Sequence, residues 1–351
     1  MAVTVLVVDD SAFMRSALSS MLSSDPEVRV LGTARDGVEA VEKVQALKPD
    51  VVTMDIEMPR MDGISALRII MERCPVPVVM VSSLSTEGAR VTIEALEIGA
   101  VDFIPKNLSE LSINVMKLKE ILIEKVKHIA KKGLRRKVVP AVYPGVQQGG
   151  AHSGPLRLSG DRRIAIVAIG TSTGGPKALQ EIVPKLPRDL PVPILIAQHM
   201  PPNFTGPLAE RLNQMSRLEV REAQEGDVVR PGLALVAPGR GHMRIRRQRG
   251  IEIVVTISEN RDEFIYRPSV DAMMLSVAEC FPGRALGVIL TGMGSDGAKG
   301  LAVLKRTGGR VVAQDEDSCV VYGMPKAVVE AGLADKVVPV EAIAGEIINA
   351  V

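Results

Sequence analysis

Hydrophobic residues in the first third of the chain recur in short β-branched runs separated by helical stretches. VTVLVVDD (residues 3 to 10), VRVLGTA (28 to 34), DVVTMD (50 to 55), PVVMVSS (77 to 83) and VDFIP (101 to 105) read as five strands. Runs this apolar, alternating with helices, predict a parallel sheet covered on both faces. In the first intervening helix Met14, Ala17, Leu18, Met21 and Leu22 form the stripe i, i+3, i+4, i+7, i+8, with Ser11 placed to cap it. A long amphipathic pattern covers residues 109 to 132, and KKGLRRKVVPAVYPGVQQGGAHSGP then has no period, as expected of a linker. From Arg162 the alternation resumes: RIAIVAIG, VPILIAQ, GLALVAPG, MRIRR, IEIVVTI, ALGVILTG and GGRVVAQ read as strands of a second α/β domain. The expected fold class is therefore α/β. A doubly wound five-stranded parallel-sheet domain over residues 1–124 and a linker over 125–160 lead to a Rossmann-like, mostly parallel-sheet domain over 161–351.

Composition narrows the function classes. The chain has 351 residues, 46% of them hydrophobic, enough for two cores. With 43 Lys plus Arg against 41 Asp plus Glu, the net charge of +2 predicts neither nucleic-acid nor membrane binding. Cys74, Cys280 and Cys319 are far apart, without metal-ligand spacing, and read as reduced core residues. With no leader-like start and no run of eighteen apolar residues, a cytoplasmic protein without membrane insertion is expected.

Ligands of a doubly wound sheet collect beyond the carboxyl ends of its strands. Asp9 and Asp10 end the first strand and Asp55 the third, and an all-carboxylate cluster suits Mg²⁺. Ser82 and Lys106, at the ends of the fourth and fifth strands, add a hydroxyl and an ammonium. Asp55 could then accept a phosphoryl group; singly, each Asp could equally start a turn or cap a helix.

In the second domain IAIVAIGTSTGGPKALQEIV runs a strand through a glycine-rich turn into a helix. Gly170 and Gly175 have P-loop spacing, but Pro176 stands where the lysine belongs. Ser172 or Thr173 could cap the helix. Alternatively GTSTG is a nucleophile elbow, with Ser172 lifted clear of the sheet and the helix N-terminus beside a developing oxyanion. Of the four histidines, His128 and His152 lie on or near the linker and His242 in a turn before a strand; His199 directly follows the strand VPILIAQ and is the candidate base. Asp296, in the turn of LTGMGSDGAKG, is the candidate orienting acid. That turn supports a competing reading: Gly292, Gly294 and Gly297, with Asp315 at the end of the next strand, have the spacing of an NAD-binding fingerprint. Against it, Asp296 would put a negative charge where a pyrophosphate should sit.

VVDDSAFMR, MDIEMPRMDG, VMVSS and VDFIPK resemble the receiver domain of two-component response regulators. The resemblance implies that Asp55 takes phosphate from a histidine kinase, that Asp9, Asp10 and Asp55 hold Mg²⁺, and that Ser82, Phe103 and Lys106 report the phosphorylated state. One departure is that Asn107, not proline, follows Lys106. GTSTGGP, AQHMPPNFT, APGRGHM, YRPSVDAM, LTGMGSDGAKG and YGMPKAV, in that order, resemble the catalytic domain of the CheB family of chemotaxis protein-glutamate methylesterases. That resemblance implies hydrolysis of glutamyl methyl esters on chemoreceptors, and deamidation of receptor glutamines, by Ser172, His199 and Asp296 through an acyl-enzyme. It also implies an oxyanion hole from amides at Thr173 and Met293, no metal in the catalytic domain, and a receiver that inhibits until phosphorylated.

Overall fold

The computed structural model describes residues 2–106, 115–136, 163–248, 252–260 and 264–351. In the first domain strands β1 (Val3–Val8), β2 (Val28–Ala34), β3 (Val51–Asp55), β4 (Val78–Ser82) and β5 (Asp102–Pro105) form a wholly parallel sheet in the order β2-β1-β3-β4-β5. Helices α1 (Ala12–Ser23), α2 (Gly37–Leu47), α3 (Gly63–Arg73) and α4 (Thr86–Ile98) connect them, and Ser11 caps α1 by accepting from the Met14 amide. Of the predicted α1 stripe, Leu18 and Leu22 are the residues fully buried.

The last helix of this domain, α5 (Val115–Arg136), corrects the expected boundary. Leu122, Val126, Ile129 and Ala130 pack with Val5, Val7 and Leu22 in one cluster, so residues 125–136, assigned to the linker by composition, continue the first domain. A chain of lysines and arginines can still be helical when one face is apolar. Asn107, His152 and most of the expected linker lie outside the described residues.

The second domain is built on a seven-stranded parallel sheet. Its strands are β6 (Ile166–Thr171), β7 (Ile194–Gln198), β8 (Glu219–Glu222), β9 (Leu233–Val236), β12 (Ala285–Ile289), β13 (Arg310–Gln314) and β14 (Lys336–Val338), in the order β14-β13-β12-β6-β7-β9-β8. The short β8 and β14 are additions to the predicted set. MRIRR and IEIVVTI do form strands, β10 (His242–Arg247) and β11 (Ile253–Ser258), but pair antiparallel in a separate ribbon instead of joining the large sheet.

Helices α6 (Gly175–Ile182), α7 (Pro202–Met215) and α11 (Val340–Ala350) cover one face of the large sheet; α8 (Val270–Cys280), α9 (Ala298–Arg306), α10 (Met324–Glu330) and the ribbon cover the other. α6 ends in a 3-10 turn containing Pro184. The domains meet where α4 packs on α7. There Phe103 and Phe204 stack with ring centroids 4.5 Å apart, and one hydrophobic cluster runs through both domains.

Candidate functional sites

At the carboxyl edge of the first sheet one carboxylate oxygen each from Asp9, Asp10 and Asp55 lies within 4.8 Å of the others. Asp9 and Asp55 are buried and Asp10 is exposed. The strand order explains the cluster: β1 and β3 are neighbours although β2 lies between them in sequence. Lys106 Nζ donates to Asp55 Oδ2 at 2.5 Å and lies 3.2 Å from Asp9 Oδ2, which is aligned with no hydrogen-bond donor. Burial pushes the Asp55 carboxyl up to about 6, with the Asp9 charge adding to the rise, against the opposing pull of Lys106. Ser82 departs from expectation. Its hydroxyl is tied to Thr92 Oγ1 at 2.7 Å and to the Ser83 and Gly88 carbonyls, so it faces the start of α4 and not the carboxylates.

The second site gathers the turns that follow β6, β7 and β12. β6 is the switch point of the large sheet, with β7 on one side and β12 on the other, where a crevice opens above the strand ends. Thr171 pairs with Gln198 across β6 and β7, and the His199 amide still donates to the Thr171 carbonyl at 3.1 Å. Ser172 and His199 therefore emerge side by side from neighbouring strands, which in a sheet run about 4.8 Å apart. On the other flank Gly292 abuts the serine: a Cβ at position 292 would lie 2.8 Å from Ser172 Cβ.

The capping reading of Ser172 is corrected. The N-cap of α6 is Gly174, at φ 77°, with no side-chain cap, so neither the Ser172 nor the Thr173 hydroxyl closes the helix. The turn is held from outside instead. Thr291 is the hub: its carbonyl accepts from the Ser172 amide at 3.0 Å, and its hydroxyl donates to the Thr173 carbonyl at 2.9 Å.

His199 and Asp296 meet directly, with His199 Nε2 2.7 Å from Asp296 Oδ2. The carboxylate also accepts from the Val270 and Asp271 amides at 2.7 and 3.0 Å and from the Ser269 hydroxyl at 3.1 Å. These groups are the N-cap and first turn of α8, so the helix dipole adds to the stabilisation of the negative charge. Burial raises the Asp296 pKa, but the His199 contact and the two amides outweigh it and hold the group below its ordinary value. An ionised carboxylate only accepts, so Nε2 must carry the proton. The buried Nδ1, with no partner, is left with its lone pair. Tyr266 stacks on the imidazole with centroids 4.5 Å apart and planes 7° from parallel.

Three features were not anticipated from sequence: the α8 N-terminus beneath Asp296, the Tyr266 stack and the role of Asp271. Asp271 Oδ1 accepts from the Gly297 and Gly300 amides at 2.9 and 2.8 Å, capping α9. The motif YRPSVDAM spans all three, but only tertiary contact gives them meaning. The amides at Gly297 and Gly300 are thereby withdrawn from the pyrophosphate that an NAD-binding fingerprint would seat on α9. Asp315 accepts instead from the Ser318 amide and hydroxyl, within its own loop. His242, expected in a turn, is the first residue of β10 and wholly buried, and its Nδ1 accepts from the Ser269 amide at 3.2 Å. His128 sits on α5 with Nδ1 2.8 Å from the Glu124 carbonyl, far in sequence from either site. The amides of Thr173 and Met293, the expected oxyanion donors, give no hydrogen bond to a backbone carbonyl among the described residues.

Comparison with known proteins bears on both sites. A family profile described as CheB methylesterase matches residues 167–347, and one described as response regulator receiver domain matches residues 5–116. A protein-glutamate methylesterase/protein-glutamine glutaminase of Oleidesulfovibrio alaskensis is 49% identical over 99% of this chain and 99% of its own. One of the same name from Pyrococcus horikoshii is 49% identical over 99% of this chain and 94% of its own. Among solved structures, the catalytic domain of the Thermotoga maritima CheB methylesterase is 44% identical, covers 54% of this chain and 99% of its own, and superposes with a TM-score of 0.52.

Proposed function

We propose, from the premise that the chain belongs to the CheB methylesterase family, that it hydrolyses glutamate γ-methyl esters on chemoreceptors and deamidates receptor glutamines. Ser172 is the nucleophile, His199 the base and Asp296 the orienting acid. The observation that carries this reading is the single-sided use of the imidazole: Nε2 is held by Asp296, and Nδ1 is buried without a partner. Nδ1 takes the Ser172 hydroxyl proton as Oγ attacks the ester carbonyl. The imidazolium then gives that proton to the departing methoxy oxygen, releasing methanol, and water, deprotonated in turn by Nδ1, hydrolyses the acyl-enzyme. Amides at Thr173 and Met293 hold the oxyanion, one such donor typically being worth about 3 kcal/mol. The imidazole is used the opposite way round from the serine-protease template, in which Nδ1 faces the acid; geometry and role define the triad, not the atom name.

The first domain regulates the second. Asp55 accepts phosphate from a chemotaxis histidine kinase, with Asp9, Asp10 and Asp55 holding Mg²⁺; Asp9 Oδ2, buried and aligned with no donor, and an all-oxygen ligand set fit a hard divalent cation. When bound, the ion neutralises charge on the transferring phosphoryl group. Lys106 holds the Asp55 carboxylate, and Ser82 and Phe103 relay its state, Phe103 through its stack on Phe204 of α7. The contact of α4 with α7 inhibits, and phosphorylation loosens it. The regulatory unit extends from the N-terminus through α5 and the catalytic unit begins near residue 161, both acting in the cytoplasm.

The test is methanol release from methylated receptor membranes by wild type and Ser172→Ala, with and without a small-molecule phosphodonor. Wild type should be stimulated by the donor, and Ser172→Ala should fall by roughly 10⁶-fold, the scale seen when a triad nucleophile is removed. A Ser172→Ala protein that still turns over refutes the assignment.

A further inference from the structure

Gln198 is the last residue of β7, and it is the one polar side chain on an otherwise apolar strand, ILIAQ. It is 2% exposed. Its side-chain Nε2 donates to the Ser172 carbonyl at 2.9 Å and to the His199 carbonyl at 3.0 Å. An amide nitrogen has two hydrogens, so both are committed, one to the residue carrying the nucleophile and one to the residue carrying the base. Both neighbours are carbonyl oxygens, which fixes the nitrogen toward them and the oxygen away.

That oxygen, Gln198 Oε1, is buried and has no hydrogen-bond partner. An unpartnered buried carbonyl costs stability, and an apolar side chain of similar shape would avoid that cost. The turn is also built to admit the amide: a Cβ on Gly175 would lie 2.0 Å from Gln198 Oε1 and 2.4 Å from Thr171 Oγ1. The last glycine of GTSTGG, Gly175, is thus the space in which the glutamine lies. The Ser172 carbonyl accepts from the Gly175 amide as well, at 2.8 Å, so Gln198 ties an already closed turn to the strand beside it.

We propose that Gln198 is a positioning residue of the esterase, a side-chain amide strut that fixes the Ser172 turn relative to the His199 turn and so sets the approach of Ser172 Oγ to His199 Nδ1. The inference rests on the Ser172 and His199 assignment above. The strut acts on the backbone of both residues and touches no substrate atom. Its loss leaves the ester bound but lets the two turns drift, and a displacement of about 1 Å at reacting groups is enough to lower turnover about 10²-fold. The signature is a lowered kcat with KM unchanged.

The full-length protein is compared as wild type, Ser172→Ala, Gln198→Met and Gln198→Glu. The readouts are methanol release from methylated receptor membranes and the rate of covalent labelling by diisopropyl fluorophosphate. Gln198→Met keeps the shape and removes both donors; kcat and the labelling rate should fall about 10- to 100-fold, with KM within twofold of wild type. Gln198→Glu retains one donor only while its carboxyl is protonated, so its activity relative to wild type should decline as pH rises. A Gln198→Met protein that labels and turns over within twofold of wild type overturns the proposal, as does one whose KM rises while kcat holds. If Gln198→Met does not fold, Gln198→Glu decides: a ratio to wild type that is flat with pH overturns it. Labelling of Ser172→Ala at the wild-type rate would sink the nucleophile assignment itself, whereas inert Ser172→Ala beside a normal Gln198→Met sinks the strut alone.

Discussion

His199 gives its Nε2 hydrogen to Asp296 at 2.7 Å and keeps Nδ1 without a partner. The tautomer is thus dictated by the carboxylate. Asp296→Asn keeps the shape but presents an amide, whose NH₂ can donate to Nε2 and draw the ring proton to Nδ1. The base atom is then protonated before the reaction starts. Methanol release should fall by about 10⁴-fold, the cost of a wrong tautomer in an equivalent triad, with little change in KM. Restoring turnover at high pH would not be expected, since a neutral imidazole in the wrong tautomer has no ionisation to reverse.

Asp55 carries a pH and metal dependence of opposite character. Its carboxyl is raised from 3.8 to about 6 by burial and the neighbouring Asp9 charge, Lys106 notwithstanding. A raised folded value means the native state favours the protonated form. The group's stabilising contribution is therefore complete below pH 3.8 and disappears as pH rises through about 6. In metal-free buffer, Asp55→Asn should melt at a higher temperature than wild type at pH 7 to 8 and at the same temperature near pH 3.5. Adding Mg²⁺ should stabilise wild type more than Asp55→Asn, because the ion binds the native carboxylates and binding shifts the folding equilibrium. Phosphorylation by a small-molecule donor should weaken as pH drops below about 6, where the acceptor is no longer ionised. Melting curves at several pH values, with Mg²⁺ or chelator, check the first two, and the rate of phosphorylation measured against pH checks the third.

Both sheets and the strand-end positions of Asp9, Asp55, Ser172 and His199 were legible in the sequence, because apolar runs and glycine-rich turns are local signals. What sits around them was not. Asp296 could be placed in its turn, but not on the α8 N-terminus, because Ser269 and Val270 lie 27 and 26 residues away and pair with it through tertiary contact alone. Composition misread the start of the linker: α5 is rich in lysine, and only its packing on Val5 and Leu22 shows it belongs to the first domain. The ribbon of β10 and β11 had the alternation of any strand pair, and alternation does not say which sheet a strand joins. Gln198 did leave a trace, a lone polar side chain closing an apolar strand.

The inhibition proposed for the first domain has a specific electrostatic handle. Arg211 of α7 donates to both oxygens of Glu97 of α4, through Nη2 at 2.9 Å and through Nε. Near the start of α7 the Asn203 side chain donates to the Leu84 carbonyl, only four residues after His199. Glu97→Arg replaces attraction by repulsion against Arg211. It should raise esterase activity without phosphodonor several-fold and shrink the further gain on phosphorylation. Because the pair is partly exposed, an isolated bridge is worth about 1 kcal/mol or less; the reversal is the more telling change, and high salt should narrow the difference between mutant and wild type. An unstimulated rate equal to wild type would remove this contact from the regulatory surface.

Gly292 gives a sharper test of how closely the turns must pack. A Cβ there would lie 2.3 Å from Met324 Sδ, which can swing away, and 2.8 and 3.0 Å from Ser172 Cβ and N, which can yield only by moving the nucleophile. Gly292→Ala should therefore lower kcat by about 10²-fold and cost about 1–3 kcal/mol of stability through overpacking. Gly345 is the control. It lies within α11, and a Cβ there would meet nothing within 4 Å, so Gly345→Ala should leave turnover unchanged and stabilise the helix by about 0.5–1 kcal/mol. If both alanine variants lose stability and neither loses turnover, the backbone at Gly292 does not set the position of Ser172, and the contact between the β6 and β12 turns is packing alone.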